Sequence, residues 1–120
     1  VAENIAIESF VGSNAKFVRH RNIEDVAQKV CERLGVSFDL NAKVKTLPIA
    51  RRQLVAICRT LVSDARIVFM DEPTSSLTRA ETQHLLNVVR TLTAENVAVV
   101  FVSASGTSGV CAVAQVVVLP

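Results

Sequence analysis

Two short apolar runs with a helix-length segment between them constrain the fold more than any other feature of the chain. The runs are RIVFM (66–70) and VAVVFVS (97–103). Between them, Thr78 and Glu81 have the spacing of a capping box, which predicts a helix that ends near Ala94. A strand, a helix and a second strand in this order favour a right-handed crossover and a largely parallel sheet. The run 66–70 does not alternate in polarity, which predicts a strand that is buried on both faces.

Helices are predicted in the rest of the chain, and residues 1–46 are mostly helical. Asn22 is a candidate cap for a helix that ends before Gly35. A second helix is predicted from about Ile49 to Val62, because its apolar residues recur at helical spacing. The run QVVVL (115–119) predicts a third strand. Taken together, these elements predict an α/β protein.

Composition excludes several kinds of partner. Half of the 120 residues are hydrophobic and the net charge is only +2, so a buried core is expected and no nucleic acid is expected as a partner. The three cysteines are too scattered for a zinc site and are expected to be reduced thiols. The longest apolar run is strand-sized, so we expect any link to a membrane to depend on a partner protein.

The acidic pair Asp71–Glu72 follows the first apolar run directly. Ligands of parallel sheets gather at the carboxyl ends of the strands, where this pair is expected to lie. Phosphoryl transfer requires an acidic group near Mg²⁺ and another group that orients the attacking water. Adjacent carboxylates leave a strand end in different directions, so the two residues can divide these roles. Pro73 then ends the strand.

Several segments resemble one family. IVFMDEPTSSLT (67–78) resembles the Walker B motif and D-loop of ATP-binding-cassette (ABC) ATPases. LPIARRQLVAICRTLVSDA (47–65) is similar to the signature segment of that family, its helix and the linker to Walker B. VAENI and ERLGV resemble parts of the helical subdomain. The ending TSSLT is most similar to the first cassette of bacterial monosaccharide importers of the ribose, galactose and xylose type.

The resemblance implies a fold and a division of the chain. The fold class is α/β, a partial P-loop NTPase (ABC ATPase) fold. Residues 1–46 would be part of the helical subdomain, and residues 47–120 would carry the signature helix, Walker B and the D-loop of the ATPase core. The sequence contains no G-x-x-x-x-G-K-[ST] phosphate loop. We therefore expect the C-terminal part of a cassette, which by itself binds no ATP and self-associates through unpaired strands.

The resemblance also assigns site residues. Asp71 would hold Mg²⁺ and Glu72 would be the catalytic carboxylate. The residues expected to contact ATP, in this cassette or across a dimer, are Leu47, Pro48, Ile49, Ala50, Arg51, Gln53, Ser75, Ser76, Leu77, Thr78 and Ala104.

Two of these positions depart from the family pattern. Pro48 stands where the signature has a serine, so it offers neither a hydroxyl nor an N–H group. Ala104 stands where the family has a switch histidine, and its methyl group cannot bond a phosphate or a water. The signature is therefore weakened, and the partner of the catalytic carboxylate is missing.

Three functions are weighed. The first is the ATP-hydrolysing, energy-coupling subunit of an ABC transporter, expected to import a sugar. Its partners would be a second cassette, membrane permease subunits and the missing N-terminal part of its own cassette, and it would be cytoplasmic, on the inner face of the membrane. The alternative is a degenerate, non-hydrolysing scaffold for dimerisation or regulation. The third, a DNA-repair or chromosome-structure ATPase, would need long coiled-coil heptads that this chain does not contain.

Overall fold

The chain forms two compact units, Val1–Ala65 and Arg66–Pro120. A computed structural model describes residues 1–10, 20–104 and 112–116. The division between the two units lies at a different place from the boundary that we predict between the subdomains, at residues 46 and 47. The elements, in chain order, are α1 (Ala2–Phe10), α2 (His20–Leu34), a 3₁₀ turn (Val44–Thr46), α3 (Ile49–Val62), β1 (Ile67–Asp71), α4 (Arg79–Ala94), β2 (Ala98–Ala104) and β3 (Ala112–Val116).

Three helices pack together in the first unit. Helix α3 has the predicted bounds, and its predicted apolar stripe is buried except at Val62, which is half-buried. The prediction that Asn22 caps α2 is wrong, because the helix already begins at His20 and Asn22 lies inside its first turn. The predicted end is confirmed. Gly35 has φ = 65°, and the Val36 N–H donates to the Cys31 carbonyl across the end of the helix at 2.9 Å, as in a Schellman cap.

A three-stranded sheet in the order β1-β2-β3 forms the second unit. Strands β1 and β2 are parallel, as predicted, with Ile67 opposite Ala98 and Asp71 opposite Val102. Helix α4 joins these strands and packs against β2. Both halves of the predicted capping box are present, since the Thr78 hydroxyl accepts from the Glu81 N–H and the Glu81 carboxylate accepts from the Thr78 N–H.

The third strand differs from its prediction. Strand β3 begins at Ala112, before the predicted run 115–119, and it runs antiparallel to β2. Only Gln115 and Val116 of the predicted run lie within the described residues. An antiparallel strand needs only a short connection to its neighbour, whereas a parallel one would need a crossover of a dozen or more residues. Seven residues separate the end of β2 from the start of β3.

The prediction that β1 is buried on both faces is wrong. Val68 and Met70 are buried, whereas Ile67 is 54% exposed and Phe69 is 71% exposed. Successive side chains of a strand point to opposite faces, so one apolar face of β1 is uncovered in this chain. In the part of the chain that the structure describes, no helix has the length and apolar character needed to cross a bilayer.

Candidate functional site

The acidic pair lies at the carboxyl end of β1. Asp71 is the last residue of the strand and stands opposite Val102 of β2. The Glu72 N–H donates to the Val102 carbonyl at 2.8 Å, so the pairing of the two strands continues one residue beyond β1. Both acidic residues are exposed, whereas Pro73, which follows them, is buried. The carboxylates therefore project from a backbone that is held by the sheet on one side and by a buried proline on the other.

Glu72 adopts a backbone conformation that is unusual for its residue type. Its φ is 40°, close to the left-handed region that costs a residue with a Cβ about 1–2 kcal/mol. The conformation turns the chain out of the strand immediately after Asp71. Non-glycine residues with such dihedral angles cluster at functional sites, where the surrounding structure holds them in place.

The predicted D-loop residues lie in two consecutive turns between β1 and α4. The Ser75 N–H and hydroxyl both approach the Glu72 carbonyl, at 3.3 Å and 3.1 Å. The Leu77 N–H then donates to the Thr74 carbonyl at 3.3 Å. Ser75, Ser76 and Thr78 are exposed and Leu77 is half-buried. This loop is thus fastened by its own backbone and by the Ser75 hydroxyl, and its serine and threonine residues are exposed to solvent.

The capping box fixes the far end of this loop. One Glu81 carboxylate oxygen accepts from the Thr78 N–H at 2.8 Å and from the Thr78 hydroxyl at 2.9 Å. These bonds favour the charged form, and the backbone bond is the larger cause of the lowered pKa of Glu81. The Glu81 carboxylate therefore caps the start of α4. Its role is structural, and it does not act together with Asp71 and Glu72.

Ala104, the predicted switch position, is the last residue of β2 and pairs with Ala112 of β3. Parallel strands place their carboxyl ends at the same edge, and Ala104 lies two residues beyond the partner of Asp71. With strands roughly 4.8 Å apart and about 3.3 Å per residue, the Cα atoms of Asp71 and Ala104 are about 8 Å apart. Positions 71, 72 and 104 therefore share one edge of the sheet.

The predicted signature segment lies in the first unit, at the start of α3. Pro48 is the N-cap residue, with φ = −57° and ψ = 155°, and its side chain makes no capping bond. The Arg52 N–H makes the first bond within the helix, to the Pro48 carbonyl at 3.0 Å. The N–H groups of residues 49–51 have no acceptor within the helix. This end of α3 is suited to an anion such as a phosphate group.

Two arginines hold the signature segment in place, a role that the sequence pattern does not indicate. The Arg51 guanidinium donates to the Ser37 carbonyl and lies 4.6 Å from the centre of the Phe38 ring. Arg52 donates to the carbonyl groups of Lys45 and Leu47, at 2.7 Å and 2.8 Å. Arg51 is thus engaged within its own unit, and a contact with nucleotide stays a prediction. No motif marks these bonds, because the acceptors are backbone groups.

The other predicted signature residues differ in exposure. Pro48 and Ile49 are exposed, whereas Leu47, Ala50 and Gln53 are half-buried. The Oε1 atom of Gln53 is enclosed and has no hydrogen-bond donor among the described residues. A nucleotide contact from Leu47 or Gln53 therefore stays a prediction, and the exposed start of the helix is the accessible part of the segment.

Asp71 and Glu72 suit a hard divalent cation. In the described part of the chain, no cluster of three or more His, Cys, Asp or Glu residues could enclose a metal ion. Mg²⁺ needs no such cluster, because it is usually held by one or two carboxylates together with water and substrate phosphates. The exposed carboxylates at the sheet edge fit that kind of site.

Comparison with known proteins defines the class to which this arrangement belongs. The sequence profile described as ABC transporter matches residues 1–75. The chain is 41% identical to the ribose import ATP-binding protein of Hahella chejuensis over 101 residues, 84% of this chain and 20% of the relative. It is also 41% identical to the arabinose import ATP-binding protein of Paraburkholderia xenovorans over 103 residues, 86% of this chain and 20% of the relative. The chain belongs to the ABC transporter family.

The family confirms the predicted fold class, an α/β fold that is part of an ABC ATPase. It also confirms the resemblance to sugar import proteins, since a third relative, from Shigella dysenteriae, is again a ribose import ATP-binding protein at 41% identity. The chain spans about a fifth of the length of these relatives.

Proposed function

We propose that this chain is part of the ATP-hydrolysing, energy-coupling subunit of an ABC transporter that imports a sugar. The observation that carries the proposal is the acidic pair Asp71–Glu72, held at the carboxyl edge of a parallel strand pair by the bond to Val102. The relatives are named ribose import and arabinose import ATP-binding proteins, which supports a sugar as the transported substrate. Asp71 serves as a ligand in the Mg²⁺ shell, and Glu72 is the carboxylate that polarises the attacking water.

The two units expose groups of opposite charge, which suit them to different parts of a Mg-nucleotide. The start of α3 offers unpaired N–H groups and the positive end of a helix dipole, which favour a phosphate. The end of β1 offers two exposed carboxylates, which favour a cation and a water. Bound Mg²⁺ would neutralise charge on the phosphates. In a complete transporter, residues 47–53 of one cassette would face ATP held by a second cassette, and residues 75–78 would carry contact between the two sites.

The proposal implies specific partners. The phosphate loop would come from an N-terminal part of the same cassette, because this sequence contains no G-x-x-x-x-G-K-[ST]. A second cassette and membrane permease subunits complete the transporter, which places the protein in the cytoplasm at the inner face of the membrane. We propose no nucleic-acid partner.

The uncovered face of β1 has a consequence for the isolated chain. Ile67 and Phe69 are exposed, and β1 is an edge strand of the described sheet. An apolar face beside an unpaired strand edge favours pairing with another copy. We therefore propose that the chain self-associates when it is separated from the part of the cassette that would cover this face.

A non-hydrolysing scaffold is the second candidate. Two positions favour it, because Pro48 lacks the donor groups of a serine and Ala104 lacks an imidazole. Glu72 opposes it, because a site without hydrolysis has no need for a carboxylate in a costly backbone conformation.

Sugar uptake tests the transport proposal. This chain, carrying Ala104→His so that the switch histidine is present, would replace the matching segment of a ribose import ATP-binding protein, in cells that lack their own copy. We expect the chimera to restore ribose uptake, and we expect Glu72→Gln in the chimera to remove it while the protein still assembles with the permease. An assembled chimera that never supports uptake would favour the scaffold.

A further inference from the structure

The peptide groups on both sides of the Glu72 Cα atom are held by hydrogen bonds. On one side, the Glu72 N–H donates to the Val102 carbonyl of β2 at 2.8 Å. On the other side, the Glu72 carbonyl accepts from the Ser75 N–H at 3.3 Å and from the Ser75 hydroxyl at 3.1 Å. Because peptide groups are planar, the orientations of these two groups determine φ and ψ of Glu72, and with them the direction of its Cα–Cβ bond.

Glu72 needs this support, because two local preferences oppose its conformation. Its φ of 40° is close to the left-handed region, which residues with a Cβ atom disfavour. Glu72 also precedes Pro73, and the residue before a proline favours an extended conformation with a negative φ. A residue under both restrictions keeps a positive φ only where the surrounding structure holds it.

The Ser75 hydroxyl strengthens a turn whose backbone bond is long. The bond from the Ser75 N–H to the Glu72 carbonyl is 3.3 Å, beyond the usual range for such bonds. The hydroxyl gives the same carbonyl a second donor at 3.1 Å. Pro73, between these two residues, is buried and has no N–H group that could bond in its place. Loss of the hydroxyl would therefore leave the carbonyl side of Glu72 less firmly held.

We propose that Ser75 is a positioning residue for the candidate catalytic carboxylate of Glu72. Its hydroxyl keeps the Glu72 carbonyl in place, and so keeps the side chain of Glu72 directed from the carboxyl edge of the sheet. This inference rests on the proposed function, since the direction of the carboxylate matters for turnover only if Glu72 polarises the attacking water. It gives Ser75 a role within its own cassette, separate from the contact between cassettes that residues 75–78 would make.

Kinetics of Ser75→Ala test the proposal. The variant would be made in a complete cassette, rebuilt by joining this chain to a compatible N-terminal part and carrying Ala104→His. We expect kcat for ATP hydrolysis to fall by roughly tenfold while KM for ATP changes little, because a misdirected carboxylate affects the chemical step. Ser75 is exposed, so alanine leaves no cavity in the core.

Two further substitutions complete the comparison. Ser75→Thr keeps a hydroxyl and should retain most of the turnover. Thr74→Ala is the matched control, because Thr74 is an exposed neighbour that takes part in the loop through its carbonyl, which accepts the Leu77 N–H. Equal kcat values for Ser75→Ala and Thr74→Ala would overturn the proposal.

A double-mutant cycle separates positioning from a direct contact of Ser75 with nucleotide. If Ser75 acts through Glu72, Ser75→Ala should change turnover by less than about twofold in a Glu72→Gln background, because the carboxylate to be positioned is gone. If Ser75 instead contacts nucleotide directly, the losses from the two substitutions multiply. Multiplied losses would overturn the proposal.

The same variants distinguish a failure of this inference from a failure of the proposed function. If Glu72→Gln leaves turnover unchanged, the proposed function is wrong and this inference falls with it. If Glu72→Gln lowers turnover and Ser75→Ala does not, the function stands and only the role of Ser75 is wrong.

Amide hydrogen exchange in the absence of nucleotide gives a readout that does not depend on turnover. We expect the Glu72 N–H to exchange several-fold faster in Ser75→Ala than in Thr74→Ala, because the turn opens more often and the bond to Val102 breaks with it. Equal exchange rates in the two variants would contradict a role of the Ser75 hydroxyl in holding Glu72.

Discussion

The Glu72 N–H donates to the Val102 carbonyl at 2.8 Å, which ties the first residue beyond β1 to the neighbouring strand. That bond holds Glu72 at φ = 40°. The Glu72 carbonyl oxygen in turn accepts hydrogen bonds from the N–H and the hydroxyl group of Ser75. The direction in which the Glu72 side chain leaves the chain at Cα is therefore set by its own backbone. Substitutions at Glu72 should separate the effect of its backbone conformation on stability from the effect of its side chain.

We expect Glu72→Gly to be more stable than Glu72→Ala by about 1 kcal/mol, because only glycine adopts a left-handed conformation without a steric cost. Urea denaturation of the two variants measures the difference. Neither variant carries a carboxylate, so the comparison isolates the backbone. The same pair at Val68, a buried position within β1, should show the reverse order, since glycine weakens a strand interior. A Glu72→Ala variant as stable as Glu72→Gly would contradict the conformation described here.

The capping box supports a second prediction. Thr78→Ala removes the hydroxyl that accepts the Glu81 N–H, and it should lower the free energy of unfolding by about 1 kcal/mol. Thr93→Ala is a suitable control, because the one bond of the Thr93 hydroxyl among the described residues is to the Arg90 carbonyl within the same helix, and alanine favours helices. If the two substitutions lower the free energy of unfolding equally in urea denaturation, the cap makes no specific contribution to stability.

Acid should weaken the same cap. The pKa of Glu81 is lowered by its bonds to Thr78, so the contribution of its carboxylate is present above the ordinary pKa and is lost as the pH falls through the lowered value. We expect the natural chain to lose stability below about pH 4.3 more steeply than Glu81→Gln, which cannot titrate. Parallel curves of unfolding free energy against pH would contradict this role.

The exposed face of β1 predicts how self-association can be prevented. Phe69→Lys places a charge at the most exposed large apolar side chain described, and it should shift the isolated chain toward monomer in light scattering. Ile7→Lys is the matched control, because Ile7 is also an exposed large apolar residue, at 52%, but lies on α1, outside the sheet. If Ile7→Lys disperses the chain and Phe69→Lys does not, the contact does not involve the face of β1.

Structural features were predictable where they depend on interactions between residues that are close in sequence. The capping box at Thr78 and the bounds of α3 depend on residues that are close in sequence, and both predictions are confirmed. The exposure of Phe69 was not predictable from its run, because burial depends on what covers the strand. The direction of β3 also depends on a pairing between separate segments.

The candidate site was predictable in part for the same reason. The position of Asp71 at a strand end follows from its apolar run and is confirmed. The dihedral angle of Glu72 and the anchoring of Arg51 on Phe38 depend on tertiary contacts that leave no local pattern. The roles of these residues toward nucleotide stay predictions.

A histidine introduced at position 104 should show whether ATP turnover is limited by the missing switch histidine. In a cassette rebuilt by joining this chain to a compatible N-terminal part, Ala104→His should raise ATP turnover by as much as roughly 10²–10³, the usual effect of one preorganised hydrogen bond to transition-state charge. ATP affinity should change little, because the phosphate loop dominates ground-state binding. A gain of about tenfold is still compatible if the two glycines that follow leave the imidazole mobile. Unchanged turnover would indicate that position 104 is not the switch.

The central claim is that Glu72 is the working carboxylate, and ATP turnover of the rebuilt Ala104→His cassette with Glu72→Gln tests it most directly. We expect turnover to fall by about 10²–10⁴ while Mg-ATP still binds, because the amide cannot accept a proton from water. Glu81→Gln is the matched control, since glutamine preserves a capping box and the Glu81 carboxylate bonds to Thr78 at the start of α4. Turnover that survives Glu72→Gln as well as it survives Glu81→Gln would contradict the account.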